Sequence, residues 1–323
     1  MVRVTLRSVL QTRLPGTALV FLILAPLPAQ TPRFRANVEQ VVVYAAVYDE
    51  QGQLVSNLKK EDFQVYENKI LQEVTYFGLD DIPSTIGIVM DNSGSMRGKK
   101  NLVDRATELF LETNNPANEL FLLAFNSEVR IAEDFTRDFE DIRDALFNQI
   151  VSGGTALYDA VFLAVDHAAE GSEPKRVVVV FTDGEDKDSY YTLEEVVEKV
   201  EESVVQVYLI ALLSEDLSDN EGVFGVFKSE REKVSKAMSR IAQSTGGKAY
   251  FPKEGKELQE VFKQIGYELR NQYRLAFVSN LSEETNEKSR RSLQVRVADA
   301  RERGLRVRAR TGYYRKSLGE PND

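Results

Sequence analysis

The chain has 323 residues, of which 42% are hydrophobic and 28% charged, and its formal net charge is −10. This length allows more than one domain and a sizeable core. The absence of cysteine excludes disulfide bonds, thiolate metal sites and cysteine nucleophiles. The acidic balance argues against a nucleic acid as partner, because a polyanion would be repelled.

Residues 1–29 have the pattern of a secretory signal peptide. Three arginines precede an apolar run at residues 18–25, and small residues lead to a predicted cleavage site after Ala29. The uncharged span of residues 14–32 approaches the ~20 residues that cross a bilayer, so an uncleaved anchor is the alternative. Prolines interrupt this span and favour cleavage. We therefore expect an exported protein, periplasmic or secreted, with no membrane span after cleavage.

Residues 30–81 are predicted to form an N-terminal β segment. The β-branched and aromatic residues at 38–48 predict a strand, and residues 63–66 and 70–77 predict two more strands joined by a turn. So few strands bury little surface when they stand alone.

Residues 82–272 change to alternating strands and helices. Apolar runs predict the strands, and apolar residues at helical spacing predict the helices. The alternation predicts an α/β fold with a doubly wound, mostly parallel sheet and helices on both faces. The strands are predicted at 86–90, 120–125, 128–135 (as an antiparallel edge), 177–183, 204–212 and 249–251, and the helices at 100–114, 138–150, 155–169, 193–202, 235–244 and 258–271.

Residues 214–233 are predicted to be an irregular, charged insertion. A tolerated surface loop is one interpretation. A contact surface is the other, because Val223, Phe224, Val226 and Phe227 are apolar residues in a loop-like context.

Residues 273–316 return to β character, with strands predicted at 273–278, 293–297 and 305–309, and residues 317–323 form a tail. Neither flanking β segment has an obvious core of its own. We therefore expect the two segments to pair into one small β domain, into which the α/β domain is inserted. Separate extensions laid on the α/β domain are the alternative.

Polar residues follow the apolar run of residues 86–90 at the end of its predicted strand. Asp91, Ser93 and Ser95 place three oxygen side chains on alternate positions of one short loop. Oxygen ligands of this kind suit a hard divalent cation such as Mg²⁺. A turn or a helix N-cap favours the same residue types, so this loop alone leaves both interpretations open.

Two later stretches favour the metal. Ser-Gly-Gly-Thr at residues 152–155 precedes a predicted helix, and a second buried strand ends at Asp183 before a turn glycine. In this order, the three motifs resemble the von Willebrand factor type A domain and its metal-ion-dependent adhesion site. The resemblance covers about residues 82–273. It implies that five side chains surround one divalent cation, with Mg²⁺ expected and Mn²⁺ or Ca²⁺ as alternatives: Asp91, Ser93, Ser95, Thr155 and Asp183.

The resemblance extends beyond this domain. Residues 62–77, 273–278 and 307–314 are similar to a subgroup of secreted bacterial proteins described as containing a von Willebrand factor A-related domain. The family implies a metal-dependent, adhesion-type module that binds the Asp or Glu carboxylate of a protein partner. Asp159 lies one helical turn past Thr155 and is a candidate for orienting it. A solvated helix-face carboxylate is the alternative interpretation of Asp159.

Two other classes of function compete with adhesion. A cell-envelope assembly or chaperone-like subunit would use the same site. A metal-dependent hydrolase would need a general base or a nucleophile beside the metal, but the only histidine, His167, lies roughly 18 Å along a predicted helix from Thr155. The basic residues Arg97, Lys99 and Lys100 could also be interpreted as a phosphate cradle. The simpler interpretation is that the lysines lie in the first turn of the following helix. We expect no catalytic residue and no enzyme.

Overall fold

A computed structural model of the chain describes residues 40–79, 81–184, 186–212, 221–253, 255–280 and 290–314, without the side chains of residues 221–230. The predicted signal peptide and the C-terminal tail lie outside the described residues. Within those residues, no helix combines the length and the apolar character needed to cross a bilayer.

The described strands form three sheets, and six α-helices accompany them in the described part of the chain. The strands are β1 (Gln40–Tyr48), β2 (Phe63–Glu67), β3 (Ile70–Gln72), β4 (Val74–Gly78), β5 (Ser84–Asp91), β6 (Glu119–Phe125), β7 (Val129–Thr136), β8 (Lys175–Thr182), β9 (Gln206–Ala211), β10 (Ala249–Tyr250), β11 (Tyr273–Val278), β12 (Arg290–Val297), β13 (Arg306–Ala309) and β14 (Gly312–Tyr314). The helices are α1 (Lys100–Thr113), α2 (Phe139–Phe147), α3 (Leu157–Glu170), α4 (Leu193–Glu202), α5 (Glu221–Ser244) and α6 (Gly255–Arg270).

The largest sheet confirms the predicted α/β fold. Its six strands have the order β10-β9-β8-β5-β6-β7, and every pairing is parallel except that of β6 with the edge strand β7. Helices α1, α2 and α6 contribute to the core on one face, and α3, α4 and α5 contribute to the core on the other. Because both faces are covered, the central strands are continuous apolar runs.

Strand β5 lies at the point where the chain reverses direction across this sheet. After β5 the chain adds β6 and β7 on one side, and it then crosses to add β8, β9 and β10 on the other side. The carboxyl ends of β5 and β8 are neighbours at this switch point, which is where open α/β sheets bind ligands.

The two flanking β segments pair with each other, as the predicted fold class requires. Strand β1 pairs with β11 and β13, and β2 pairs with β12, so each four-stranded sheet contains strands from both segments. The orders are β13-β1-β11-β4 and β14-β12-β2-β3, and the two sheets share one apolar core. The exact domain boundaries stay a prediction.

Two predicted elements were wrong. The single strand predicted at residues 70–77 is two strands, β3 and β4, because the chain leaves one four-stranded sheet at Glu73 and enters the other. The irregular insertion predicted at 214–233 is helical from Glu221 onward, so α5 begins 14 residues before the predicted helix. Its glycines and charged residues suggested a loop, but the helix continues through them. The side chains of residues 223–227 lie outside the description.

Candidate metal centre

The two carboxylates of the predicted site lie at the switch point of the six-stranded sheet. Asp91 is the last residue of β5, and Asp183 directly follows β8. Because these strands are parallel neighbours, their carboxyl ends bring the two residues to the same edge. The structure therefore places together two residues that are 92 positions apart in sequence.

Asp91 is buried, and both of its carboxylate oxygens accept hydrogen bonds. The backbone N–H of Ser93 donates to Oδ1 at 2.8 Å, and the hydroxyl of Thr182 donates to Oδ2 at 2.7 Å. Burial raises the pKa of Asp91 above its usual value, while hydrogen bonds from Ser93 and Thr182 lower it and the charge of Asp183 raises it. A bound cation would offset the burial by stabilising the charged form.

The loop after β5 presents two hydroxyls side by side. The Oγ atoms of Ser93 and Ser95 lie 3.0 Å apart. Ser93 is buried, whereas Ser95 is exposed within a short 3₁₀ helix at Gly94–Gly98. The backbone N–H of Gly94 donates to the carbonyl of Gly153 at 3.0 Å, which fixes this loop to the Ser-Gly-Gly-Thr loop.

Thr155 is buried, and its backbone is held on both sides. Its N–H donates to Asp188 Oδ2 at 2.8 Å, and its carbonyl accepts from the N–H groups of Lys187 at 2.9 Å and Asp188 at 3.0 Å. No hydrogen bond engages its hydroxyl within the described part of the chain. Gly153 has a φ of +84°, a conformation that favours glycine. The loop geometry therefore leaves the Thr155 hydroxyl available as a ligand.

Asp183 has a buried oxygen without a partner. The residue is 8% exposed, and its Oδ1 is fully buried with no hydrogen-bond partner in the described structure. Leaving a buried acceptor unsatisfied costs about 1–3 kcal/mol, and more for a charged group. The predicted ligands are two carboxylates and three hydroxyls, and one carboxylate oxygen is unpaired. This donor set fits a hard divalent cation. Groups of three or more His, Cys, Asp or Glu suited to a metal do not occur among the described residues.

Asp159 has partners other than the one considered from the sequence. Its Oδ1 accepts from the backbone N–H groups of Tyr190 and Tyr191, each at 2.9 Å. It therefore fixes the loop before α4, whereas its orienting effect on Thr155 stays a prediction. The residue that does bond Thr155 is Asp188, which also accepts from the Ser127 hydroxyl at 3.3 Å.

Two supporting residues were missed in the sequence. Thr182 precedes Asp183, so its position at the strand end was a usable signal for its hydrogen bond to Asp91. Asp188 could not be assigned a role, because nothing in the sequence ties it to Thr155, 33 residues earlier.

The histidine and the lysines lie in contacts of their own. His167, in the last turn of α3, stacks on Phe135 with 4.4 Å between ring centroids, and its Nε2 lies 3.0 Å from Asp134. Lys99 Nζ donates to the Leu212 carbonyl at 2.7 Å. Lys100 Nζ lies 2.8 Å from an oxygen of Asp104. These contacts favour the helix-turn interpretation over a phosphate cradle.

Residues 86–185 match the family model described as von Willebrand factor type A domain. The chain contains a von Willebrand factor type A domain. The matched stretch includes all five predicted ligands of this type A domain, so the predicted family is confirmed. Membership of the secreted bacterial subgroup, the metal and the ligand set stay predictions.

Several solved structures are similar to the chain at low identity. The von Willebrand factor type A protein from Catenulispora acidiphila is 13% identical, with 88% of this chain and 76% of that chain covered and a TM-score of 0.46. The vWF domain of the type V pili tip protein Mfa5 from Porphyromonas gingivalis is 11% identical, with 58% and 95% covered and a TM-score of 0.46. The PilB minor pilin from Streptococcus sanguinis is 13% identical, with 60% and 62% covered and a TM-score of 0.42. No curated protein matches the chain.

Proposed function

We propose that the chain is an exported protein-binding module that binds a carboxylate of a partner protein through a divalent cation. Asp91, Ser93, Ser95, Thr155 and Asp183 would hold the cation, with Mg²⁺ expected and Mn²⁺ or Ca²⁺ as alternatives. The observation that carries the proposal is the buried, unpartnered Oδ1 of Asp183 at the switch point of the sheet. Export rests on the signal-peptide pattern of residues 1–29.

The donor set explains why such a site would bind a ligand. Asp91 and Asp183 balance the charge of a divalent cation, and the three hydroxyls add none. Mg²⁺ held in this way would keep waters that an incoming carboxylate replaces. Ser95 is exposed, so this side of the site is open to a partner. The protein groups would position the cation, and the partner would supply one further carboxylate ligand.

Binding is favoured over hydrolysis by the positions of the other functional groups. His167 lies in the last turn of α3, where it stacks on Phe135. The site lies at the opposite end, because Thr155 precedes the first residue of that helix. Lys100 is engaged by Asp104. A panel of phosphate esters and peptides tests the enzyme alternative: metal-dependent turnover that is lost in Asp183→Ala would establish a hydrolase. An envelope assembly or chaperone-like subunit would use the same binding chemistry.

A calorimetric titration of the chain with MnCl₂ and with MgCl₂ tests the metal site. We expect binding by the wild type, none in Asp91→Ala or Asp183→Ala, and unchanged binding in the control Asp144→Ala, which removes an exposed carboxylate of α2. Wild-type affinity in both site variants would exclude this ligand set.

Capture of partners from envelope extract tests the second step. Proteins retained by the wild type in Mg²⁺ should be absent in excess EDTA and absent with Asp183→Ala. If the same proteins are retained under all three conditions, the interface does not involve the metal.

A further inference from the structure

Large apolar side chains are exposed on two sides of the candidate metal centre. On one side, Phe147 at the end of α2 is 52% exposed, and Ile150 after that helix is 76% exposed. On the other side, between Asp183 and α4, Tyr190 is 86% exposed. Single exposed apolar residues are normal on protein surfaces, but Ile150 and Tyr190 lie on loops that are bonded to the loops of the site.

The loop that carries Ile150 is fixed to the loop of the two serines. The N–H of Ser152 donates to the carbonyl of Asn92 at 2.8 Å, and the Asn92 side chain donates to Gln149 Oε1 at 3.3 Å. These bonds lie on both sides of Ile150 in the sequence. Ile150 is therefore held beside Ser93 and Ser95 with its side chain in solvent.

The backbone of Tyr190 is fixed to the other wall of the site. Its N–H donates to both oxygens of Asp159, at 2.9 and 3.0 Å, and its ring lies edge-on against Tyr191 at 5.4 Å between centroids. Two residues earlier, Asp188 accepts the N–H of Thr155. The backbone of Tyr190 is thus fixed next to the Thr155 loop, and its ring projects into solvent.

A positive charge lies between Ser95 and Ile150. Arg97 is exposed on the 3₁₀ helix, and its Nη2 approaches the carbonyl of Val151 at 3.5 Å. No carboxylate forms an ion pair with Arg97 in the part of the chain that the structure describes. In a chain with a net charge of −10, this arginine favours an acidic group of a partner.

We propose that the partner of this site is a protein segment in which an acidic residue has large apolar residues on both sides. The inference rests on the proposed function, because the acidic residue is the one that binds the metal. One apolar residue packs against Ile150 and Phe147, and the other packs against Tyr190. Arg97 attracts the acidic segment and orients it. Tyr and Arg are enriched among the interface residues that dominate binding energy.

A random twelve-residue peptide library displayed on phage, selected on the chain in Mn²⁺, tests the proposal. We expect enrichment of Asp or Glu with aromatic or aliphatic residues on each side. Enrichment of acidic residues without apolar neighbours, or no enrichment, would overturn the proposal.

Matched variants then test the surface with the enriched peptide as a fluorescent probe. Ile150→Ser and Tyr190→Ser should each bind the peptide about five- to tenfold more weakly, while their Mn²⁺ affinity is unchanged. The controls Val204→Ser and Tyr267→Ser remove exposed apolar residues elsewhere and should bind like the wild type. Wild-type binding by both Ile150→Ser and Tyr190→Ser would contradict the surface.

The role of the Arg97 charge is tested by the salt dependence of peptide binding. Arg97→Gln should bind the peptide about threefold more weakly at low salt and should show less salt dependence than the wild type. An unchanged salt dependence would remove Arg97 from the surface. Peptide binding that survives EDTA but falls in Ile150→Ser would keep the surface and reject the metal bridge, so the two proposals fail separately.

Discussion

Two buried carboxylates in this chain have opposite surroundings. Asp183 is 8% exposed at the edge of the six-stranded sheet, and its Oδ1 has no partner in the described structure. Glu268 is 1% exposed in the last turns of α6, and both of its oxygens are engaged. Its partners form what we call the Glu268 junction: the hydroxyls of Tyr48 and Tyr208, the amide of Gln272 and the guanidinium of Arg308.

The difference separates a structural carboxylate from one available to a ligand. The Glu268 junction joins α6 to β1, β9 and β13, so it connects the type A domain with the paired β segments. Here the carboxylate itself is fully engaged, although Arg308 Nε and Nη1 and Gln272 Oε1 have no partner in the described structure. A paired buried carboxylate of this kind fixes one arrangement of the elements around it. An unpaired buried oxygen instead destabilises the protein until a cation or donor reaches it.

The largest expected effect is the loss of the Glu268 junction. Glu268→Ala leaves the Arg308 guanidinium buried without its carboxylate, so we expect a loss of about 3–5 kcal/mol in the free energy of unfolding. Urea denaturation measures it. The control Glu260→Ala removes an exposed carboxylate of the same helix that pairs with Lys263, and it should change stability by less than ~1 kcal/mol. A similarly small change in Glu268→Ala would show that the junction is not structural.

The next effect concerns Lys175, a fully buried lysine near the same junction. Its Nζ donates to the carbonyl of Leu269 at 2.5 Å, and burial lowers its pKa to about 7. In the unfolded chain the pKa is near 10.5, so the unfolded state binds more protons between these values and stability rises with pH across that window. Below about pH 7 both states are charged, and the full penalty of burial is present.

Lys175→Met should therefore raise the free energy of unfolding by a few kcal/mol at pH 7. This advantage should shrink as the pH rises toward 10, by up to ~1.4 kcal/mol per pH unit. Urea denaturation at pH 7, 8 and 9 provides the measurement. An advantage that stays constant over these pH values would show that Lys175 is not the titrating group.

A smaller effect is expected at Gly154, on the side of the candidate metal centre. A Cβ at this position would lie 1.7 Å from Asp188 Oδ2 and 3.0 Å from the Ser127 hydroxyl. Gly154→Ala must displace Asp188 from the N–H of Thr155. We therefore expect the free energy of unfolding to fall by about 1–2 kcal/mol and metal binding to weaken. Gly98→Ala is the control, because a Cβ there meets nothing within 4 Å. Equal thermal unfolding of the two variants would contradict the role of Asp188.

The smallest effect is expected at Thr155. Thr155→Ala removes one of the three hydroxyls among the five predicted ligands. Mn²⁺ binding should therefore weaken about tenfold, or ~1.4 kcal/mol. Thr155→Ser keeps the hydroxyl and should restore most of the affinity in calorimetry. If Ser fails to restore binding while the fold is intact, the Thr155 hydroxyl is not a ligand.

The sequence allowed the candidate site to be located, since its signals are local. Asp91 and Asp183 each follow an apolar strand run, and parallel strands bring their carboxyl ends to one edge. The same logic could not find Asp188, whose partner Thr155 is distant in sequence. It also could not find the Glu268 junction, because Tyr48 and Arg308 lie 220 and 40 residues from Glu268 and meet it only through the β sheets.

The mispredicted elements have a similar cause. Residues 70–77 have continuous β character, and the exchange of one sheet for another at Glu73 depends on which strands β3 and β4 pair with. In α5, helix formation runs through glycines that locally favour a loop. At residues 70–77 tertiary structure therefore overrides the local pattern.

The central claim is that Asp183 is placed for a cation and not for the stability of the fold. Thermal unfolding of the wild type and Asp183→Asn, each with and without Mg²⁺, tests it directly. Without metal, the variant should unfold at the same or a higher temperature, because a buried unpaired charge has been removed. Mg²⁺ should raise the unfolding temperature of the wild type alone. A variant that is less stable than the wild type without metal, or that Mg²⁺ stabilises equally, would contradict the claim.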